Sequence, residues 1–222
     1  MDLKTRLVSL RAKLGHRYVK YRLKQPSVTL ISDDCWGGQF YENYGVKCRS
    51  PFIGMGFTPR EYINFITHLR EPGALQAISV SSEERGYPII ETPHARLFGF
   101  HDKSEKDFKN RYERRCQLID WDHLFIKIDL GKKKYREEDI HRWNELRLPN
   151  SVALFPDQPK FHAAAIHNGV CVSNWIEDGY HMFPRSCHAF DVIEWLNNGT
   201  VLPSRLASLV YTLLFQRGIF SR

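Results

Sequence analysis

No stretch of eighteen or more apolar residues occurs in the chain, which excludes a membrane-spanning helix. The N-terminus has neither the apolar core nor the small-residue cleavage site of a secretory leader, so a cytoplasmic location is expected. Cysteine is scarce: Cys35, Cys48, Cys116, Cys171 and Cys187 are odd in number and form no Cys-x-x-Cys pair. That argues for reduced thiols rather than a disulfide framework or a zinc cluster. Among the histidines, His162, His167, His181 and His188 (beside Cys187) follow no ligand spacing, and no metal site is expected. Neither a G-x-G-x-x-G turn nor a P-loop is present, which argues against nicotinamide and simple nucleoside-triphosphate chemistry. There is also no internal repeat and no low-complexity segment.

What is present suffices for a packed body. The 222 residues are 42% apolar and 13% aromatic, enough for one α/β domain with a real core. The net charge of +7 is local. Residues 1–24 hold eight basic side chains (Lys4, Arg6, Arg11, Lys13, Arg17, Lys20, Arg22, Lys24) and one acid, Asp2, which leaves 24 of each sign in the rest. A nucleic-acid-binding domain would spread its basicity over a folded face, so no nucleic-acid partner is expected. Leu3, Leu7, Leu10 and Leu14 fall on one side of a helix with Lys and Arg on its flanks. Such a basic amphipathic helix can lie on an anionic membrane surface, or dock on its own domain or on a second subunit. Pro26 ends it, so the chain divides into a basic segment at 1–25 and a single α/β domain at 26–222.

The domain opens on Val28–Ile31, a β-branched and apolar run that ends in Ser32-Asp33-Asp34-Cys35-Trp36-Gly37-Gly38. A loop needed only to turn the chain would rarely place two carboxylates, a thiol, an indole and two glycines together. A short helix is expected at 39–44, closed by Gly45, and another begins at the capping box Thr58-Pro59-Arg60-Glu61. Strands are expected at 75–80, 87–90, 96–100, 123–129 and 151–155, with helices at 104–118 and 136–146 between them. Segments 163–166 and 170–175 read as a hairpin through His167-Asn168-Gly169. Helices at 189–196 and from Ser204 onward end the chain, and Leu206, Leu209, Val210, Leu213 and Leu214 form a stripe expected to pack on the domain.

Alternating strands and helices imply a largely parallel open sheet flanked by helices, a Rossmann-like three-layer arrangement with the basic helix appended. Sheets of this class place their sites beyond the carboxyl ends of the strands. Those ends carry Ser32-Asp33-Asp34-Cys35, His101-Asp102, Asp129 and Phe155-Pro156-Asp157, which are expected to share one rim.

The order Ile31-Ser32-x-x-Cys35-Trp36-Gly37-Gly38, Ser50-Pro51, Gly54, Tyr62, Phe65, Tyr87-Pro88, His101, Arg114-Arg115 and Asp120-Trp121-Asp122-x-Leu124-Phe125 resembles one bacterial family. This is the domain of unknown function numbered nineteen-nineteen, associated with exopolysaccharide biosynthesis, and the resemblance covers about residues 28–175. Asp33 and Asp34 stand where the family frequently has asparagines, and Tyr112 stands where a tryptophan is expected. The resemblance implies a part in making or decorating exopolysaccharide, capsule or lipopolysaccharide.

Read as an enzyme, the chain would transfer an acyl group to a sugar hydroxyl. Cys35 would be the nucleophile, His101 the base, and Asp102 or Asp129 the group orienting its ring. The amides of Gly37 and Gly38 would receive the oxyanion. Ser32, Asp33, Asp34, Trp36, Asp102 and Arg115 would contact an activated sugar or saccharide, and an acyl-CoA would be the donor. Glycosyl transfer is the alternative, with Asp33 and Asp34, or Asp120 and Asp122, holding a divalent cation against a nucleotide sugar. A non-catalytic adaptor at the membrane surface, with Trp36, Trp121 and Tyr87 stacking on a saccharide, is the third reading.

Overall fold

The structure, a computed structural model, describes residues 3–82, 86–203 and 205–215. Four strands make a wholly parallel sheet: β1 (Thr29–Ser32), β5 (Leu124–Asp129), β6 (Ser151–Pro156) and β7 (Gly169–Val172), in that spatial order. Every residue of β1, β5 and β6 is buried, because helices cover both faces of the sheet. The register sets Ser32 beside Lys127 and Asp129 beside Leu154.

Side-chain alternation divides the core. Leu30, Phe125, Val152, Leu154, Val170 and Val172 face one layer, built from α1 (Leu3–Arg22), α2 (Trp36–Tyr44), α7 (Gly179–Ala189), α8 (Val192–Asn198) and α9 (Arg205–Leu214). Ile31, Ile126, Ile128, Ala153 and Phe155 face the other. That layer holds α3 (Pro59–His68), α4 (Glu105–Cys116), α5 (Glu137–Leu146), α6 (Pro159–Ala163) and a small antiparallel sheet of β2 (Ser79–Ser82), β3 (Pro88–Glu91) and β4 (Arg96–Phe98).

The expected three-layer α/β architecture with an N-terminal helix is what forms. Local signals act where expected: Thr58 Oγ1 accepts from the Glu61 amide, Pro59 opens α3, and Gly45 closes α2 at φ 65°. Val19 and Leu23, at the far end of α1, join the first core.

Four expectations need correction, and one helix, α7, was not expected. The helix after β1 begins at Trp36, so Gly37 and Gly38 lie in its first turn rather than in a loop. Gly37 is buried there because α2 presses on β1; a Cβ would stand 3.2 Å from that of Ser32. There is no hairpin at 163–175: Ala163 ends α6, and β7 runs parallel to β6 after that crossover. α7 is a full helix, hidden from sequence reading by Gly179 at its start and Pro184 inside it. Burial of Met182, Phe183 and Cys187 against the sheet holds it. β4 pairs with β3 in the small sheet, so the residues after it leave from a different sheet. Finally, Leu206, Leu209 and Leu213 of α9 face outward, and only Tyr211 of that helix is fully buried. Ser204, the expected start of α9, lies outside the described residues.

Candidate active site

From β1 the chain passes to α2 on one face of the sheet, and from the adjacent β5 to α5 on the other. Neighbouring strands that send their connections to opposite faces open a crevice at their carboxyl ends. A cluster of charges fills this one. Lys127, wholly buried on β5, places Nζ 3.2 Å from Asp33 Oδ1, 3.0 Å from Asp34 Oδ1 and 2.7 Å from Asp129 Oδ2. Lys132, from the turn after β5, places Nζ 2.6 Å from Asp33 Oδ2, 2.8 Å from Asp34 Oδ2 and 3.7 Å from Asp129 Oδ2.

The surroundings are equally ordered. Ser32 Oγ and the Trp36 amide both donate to Asp34 Oδ1 at 3.0 Å. Tyr135 Oη donates to Asp33 Oδ2 at 3.3 Å, and Tyr62 Oη to the Lys127 carbonyl at 2.7 Å. Gly179, the first residue of α7, leaves no room for a side chain, because a Cβ there would overlap the Asp34 carboxylate. Asp34 therefore lies against the first turns of two helices, α2 and α7, both of which favour its negative charge.

Three carboxylates and two ammonium groups leave one carboxylate in excess. Burial opposes ionisation of Asp34, but Lys127 and Lys132 outweigh it and hold Asp34 well below the usual range. Asp129 moves the other way: burial, helped by Asp34 and Asp33, lifts it well above a normal carboxylate against the pull of the lysines. Neither of its oxygens finds a well-aligned hydrogen bond, although Oδ2 lies close to Lys127. Asp129 is thus the member of the three whose ionised form the cluster disfavours most. Burial disfavours both ammonium groups, yet the carboxylates raise Lys127 and lift Lys132 well above normal.

Beside the cluster lies a cleft of about 290 Å³ over the carboxyl ends of β5, β6 and β7. Lys132 and Tyr135 belong to both, so the charge cluster forms part of its floor. Lys133, Arg136 and Lys160 are exposed cations on its rim, and Glu137 and Glu177 are its carboxylates. Trp175 closes one side, its ring so near Gly131 that a Cβ there would stand 2.6 Å from it. A larger hollow of about 430 Å³, lined by Asp122, His123 and Asn197, lies at the opposite, amino edge of the strands. Its size does not favour it, since sites in open parallel sheets form at the carboxyl edge.

The residues singled out in the sequence separate into two groups. Ser32, Asp33, Asp34 and Asp129 come together around Lys127. Trp36 is wholly buried, donates from Nε1 to Ser186 Oγ at 2.8 Å and stacks its ring 5.9 Å from Lys127 Nζ, so no sugar reaches it. Cys35 sits just before α2 and makes no side-chain cap; burial, Asp34 and Asp178 push its thiol up, the opposite of an activated nucleophile. His101 is exposed after β4 beside Gly54, and among the described residues no hydrogen bond or ion pair joins it to Cys35 or Asp129. Asp102 pairs with Arg111 at 2.5 Å, and Arg115 donates to the Ile53 carbonyl at 3.2 Å. Of the remaining aromatics, Tyr87 packs on Phe98 and Phe100, while Trp121 precedes β5 at the amino edge. Sequence reading missed Lys127, Lys132, Tyr135 and Trp175. Lys127 left one signal, a cation flanked by isoleucines inside a wholly buried strand.

Three groups among the described residues bring metal-ligand atoms within 4.8 Å of one another. In the first, Asp33, Asp34 and Asp129, the two ammonium groups already take the place a cation would occupy. In the second, His68 and His94 stack on each other at 4.3 Å, nearly parallel, each pairing a ring nitrogen with a different oxygen of Glu71, so their in-plane lone pairs do not converge on one ion. The third, Asp157, His162 and Cys171, is open to solvent at its Asp157–His162 ion pair.

The family model described as a domain of unknown function, DUF1919, matches residues 8–197. An uncharacterized protein of Haemophilus influenzae is 21% identical over 188 residues, covering 82% of this chain and 90% of its own length.

Proposed function

The chain belongs to the DUF1919 family, and from the cleft over β5, β6 and β7 we propose that it works in the synthesis or modification of surface polysaccharide. The cleft would hold an activated sugar and a saccharide acceptor, and the reaction would transfer a group to a sugar hydroxyl. One observation carries this reading: exposed cations at Lys133, Arg136 and Lys160 line the same cleft as Trp175, beside a floor of buried charges. Cations pair with phosphate or sugar carboxylate, and an indole stacks on the apolar face of a pyranose.

For acyl transfer, the raised thiol of Cys35 argues against a covalent acyl-cysteine. The sugar hydroxyl would instead attack the thioester of an acyl-CoA directly. Its oxygen forms the new ester bond, the carbon–sulfur bond breaks, and CoA thiolate leaves. The hydroxyl proton passes through Glu137 or Glu177 to that thiolate. Glycosyl transfer is the second reading, favoured by the same three cations because they suit the diphosphate of a nucleotide sugar. A non-catalytic adaptor would use the cleft for binding alone. This reading also sets the protein at the inner face of the cytoplasmic membrane, with residues 1–24 as the contact.

Binding of acetyl-CoA, UDP-sugars and oligosaccharides, followed by ligand-observed NMR and calorimetry, tests the proposal. The expected result is binding of one donor class that Trp175→Ala and Lys160→Ala each weaken about tenfold or more. Binding that ignores both substitutions, or no binding of any of these compounds, overturns it. Saccharide binding without any donor leaves the adaptor.

A further inference from the structure

α1 and α9 stand side by side at one end of the molecule, joined where Arg11 donates to the carbonyls of Leu213 (2.8 Å) and Thr212 (2.9 Å). The far half of α1 is anchored to α8. Arg22 pairs with Asp191 and Glu194, the Arg22 carbonyl accepts from Asn197 at 2.8 Å, and Val19 is buried. Its first half therefore projects in a set direction. α9 rests on the body through Tyr211, opposite its leucine stripe.

Both helices turn leucines outward. On α1, Leu7, Leu10 and Leu14 are 40%, 54% and 45% exposed; on α9, Leu206, Leu209 and Leu213 are 66%, 55% and 59% exposed. At about 100° per residue each trio occupies an arc of roughly 60°. Apolar exposure repeated at helical spacing on two neighbouring helices marks a surface built for contact. Arg6, Lys13, Arg17 and Lys20 are exposed as well, in an arc that adjoins the leucines of α1. Neither helix contains an Asp or a Glu.

We infer that α1 and α9 together form one docking face for an anionic lipid bilayer, the leucines entering the acyl boundary and the cations lying among the headgroup phosphates. No helix is long and apolar enough to cross a membrane among the described residues, so the contact lies in the plane of the surface. Charge decides the occupant. A second copy laid on this face would bring its own cations against these, with no acid on either helix to compensate, whereas an anionic leaflet supplies the missing charge. The inference deepens the membrane placement proposed above and rests on it. It adds α9, some two hundred residues from the basic segment, as half of the surface.

The test is co-sedimentation of the untagged full chain with vesicles of phosphatidylcholine alone and of phosphatidylcholine mixed with phosphatidylglycerol. The wild type should bind only the mixed vesicles and be released by salt. Leu206→Ser, Leu209→Ser and Leu213→Ser combined should weaken binding about tenfold or more, as should the same change at Leu7, Leu10 and Leu14. These positions are exposed, so far-UV circular dichroism should be unchanged. If the α9 variant binds like the wild type, α1 docks alone; the inference fails while the membrane placement stands. Absence of wild-type binding to any vesicle removes both. A dimer in gel filtration that the α9 variant dissociates, without vesicle binding, makes the face a subunit contact and overturns the inference.

Discussion

Replacing Lys127 by Met tests the charge balance of the cluster most directly. Methionine preserves much of the stem but removes an ammonium 2.7–3.2 Å from three carboxylate oxygens. Removing one member of a buried ion group typically costs about 3–5 kcal/mol, because the partners stay buried and uncompensated. For a chain of this size that corresponds to a fall of roughly 6–20 °C in Tm. Urea unfolding followed by circular dichroism and tryptophan fluorescence measures it. The sharper claim concerns the order of the aspartates. Asp34 is ionised and receives both lysines and two helix ends, so Asp34→Asn should cost about 2–4 kcal/mol. Burial and its acidic neighbours disfavour the ionised form of Asp129, so Asp129→Asn should cost less than Asp34→Asn by about 1 kcal/mol or more. Adding Asp34→Asn to Lys127→Met removes a carboxylate left without its partner and should lower that variant's cost, a coupling of about 1 kcal/mol or more, whereas adding Asp129→Asn should change it little. Equal losses for the two aspartates, or a Lys127→Met loss below about 1 kcal/mol, would refute this order of the aspartates and the view that these charges are tightly coupled.

Two other predictions concern titration. The stabilisation from depressed Asp34 is complete above the usual carboxylate range and is lost as pH falls through its lowered folded value. Raised Asp129 acts in the opposite sense, favouring the fold at low pH and losing that contribution as pH rises through its folded value. The raised lysines lose theirs only in strong alkali, so a pH series of urea midpoints should show a late acid limb that Asp34→Asn flattens and a decline above the usual carboxylate range that Asp129→Asn flattens. Cys35 should react with iodoacetamide at neutral pH more slowly than a free cysteine, measured by peptide mass spectrometry; faster reaction would contradict its raised thiol.

Much of the candidate site was legible where a strand end and its side chains are neighbours in the chain. Ser32, Asp33 and Asp34 follow a β-branched run, and Asp129 ends the clearest strand, so the carboxyl-edge rule was enough to single them out. His101 misled because β4 resembles the other strands locally, and only pairing partners decide which sheet a three-residue strand joins. The polarity of Lys132 and Tyr135 gives no hint that their tips meet Asp33 across a hundred positions.

From order and chemical type alone, the chain determined its alternating elements, its capped helix at Thr58, the basic character of its first segment and the absence of an apolar run of eighteen residues. These rest on interactions between residues a few positions apart, or on composition. Tertiary structure alone decided that Lys127 neutralises carboxylates from two strands, that Trp36 is core rather than binding surface, and that the last helix shows its leucines to the outside. Each depends on which surfaces meet after the chain has folded back on itself, and a periodicity of apolar residues does not say whether its partner is protein or lipid.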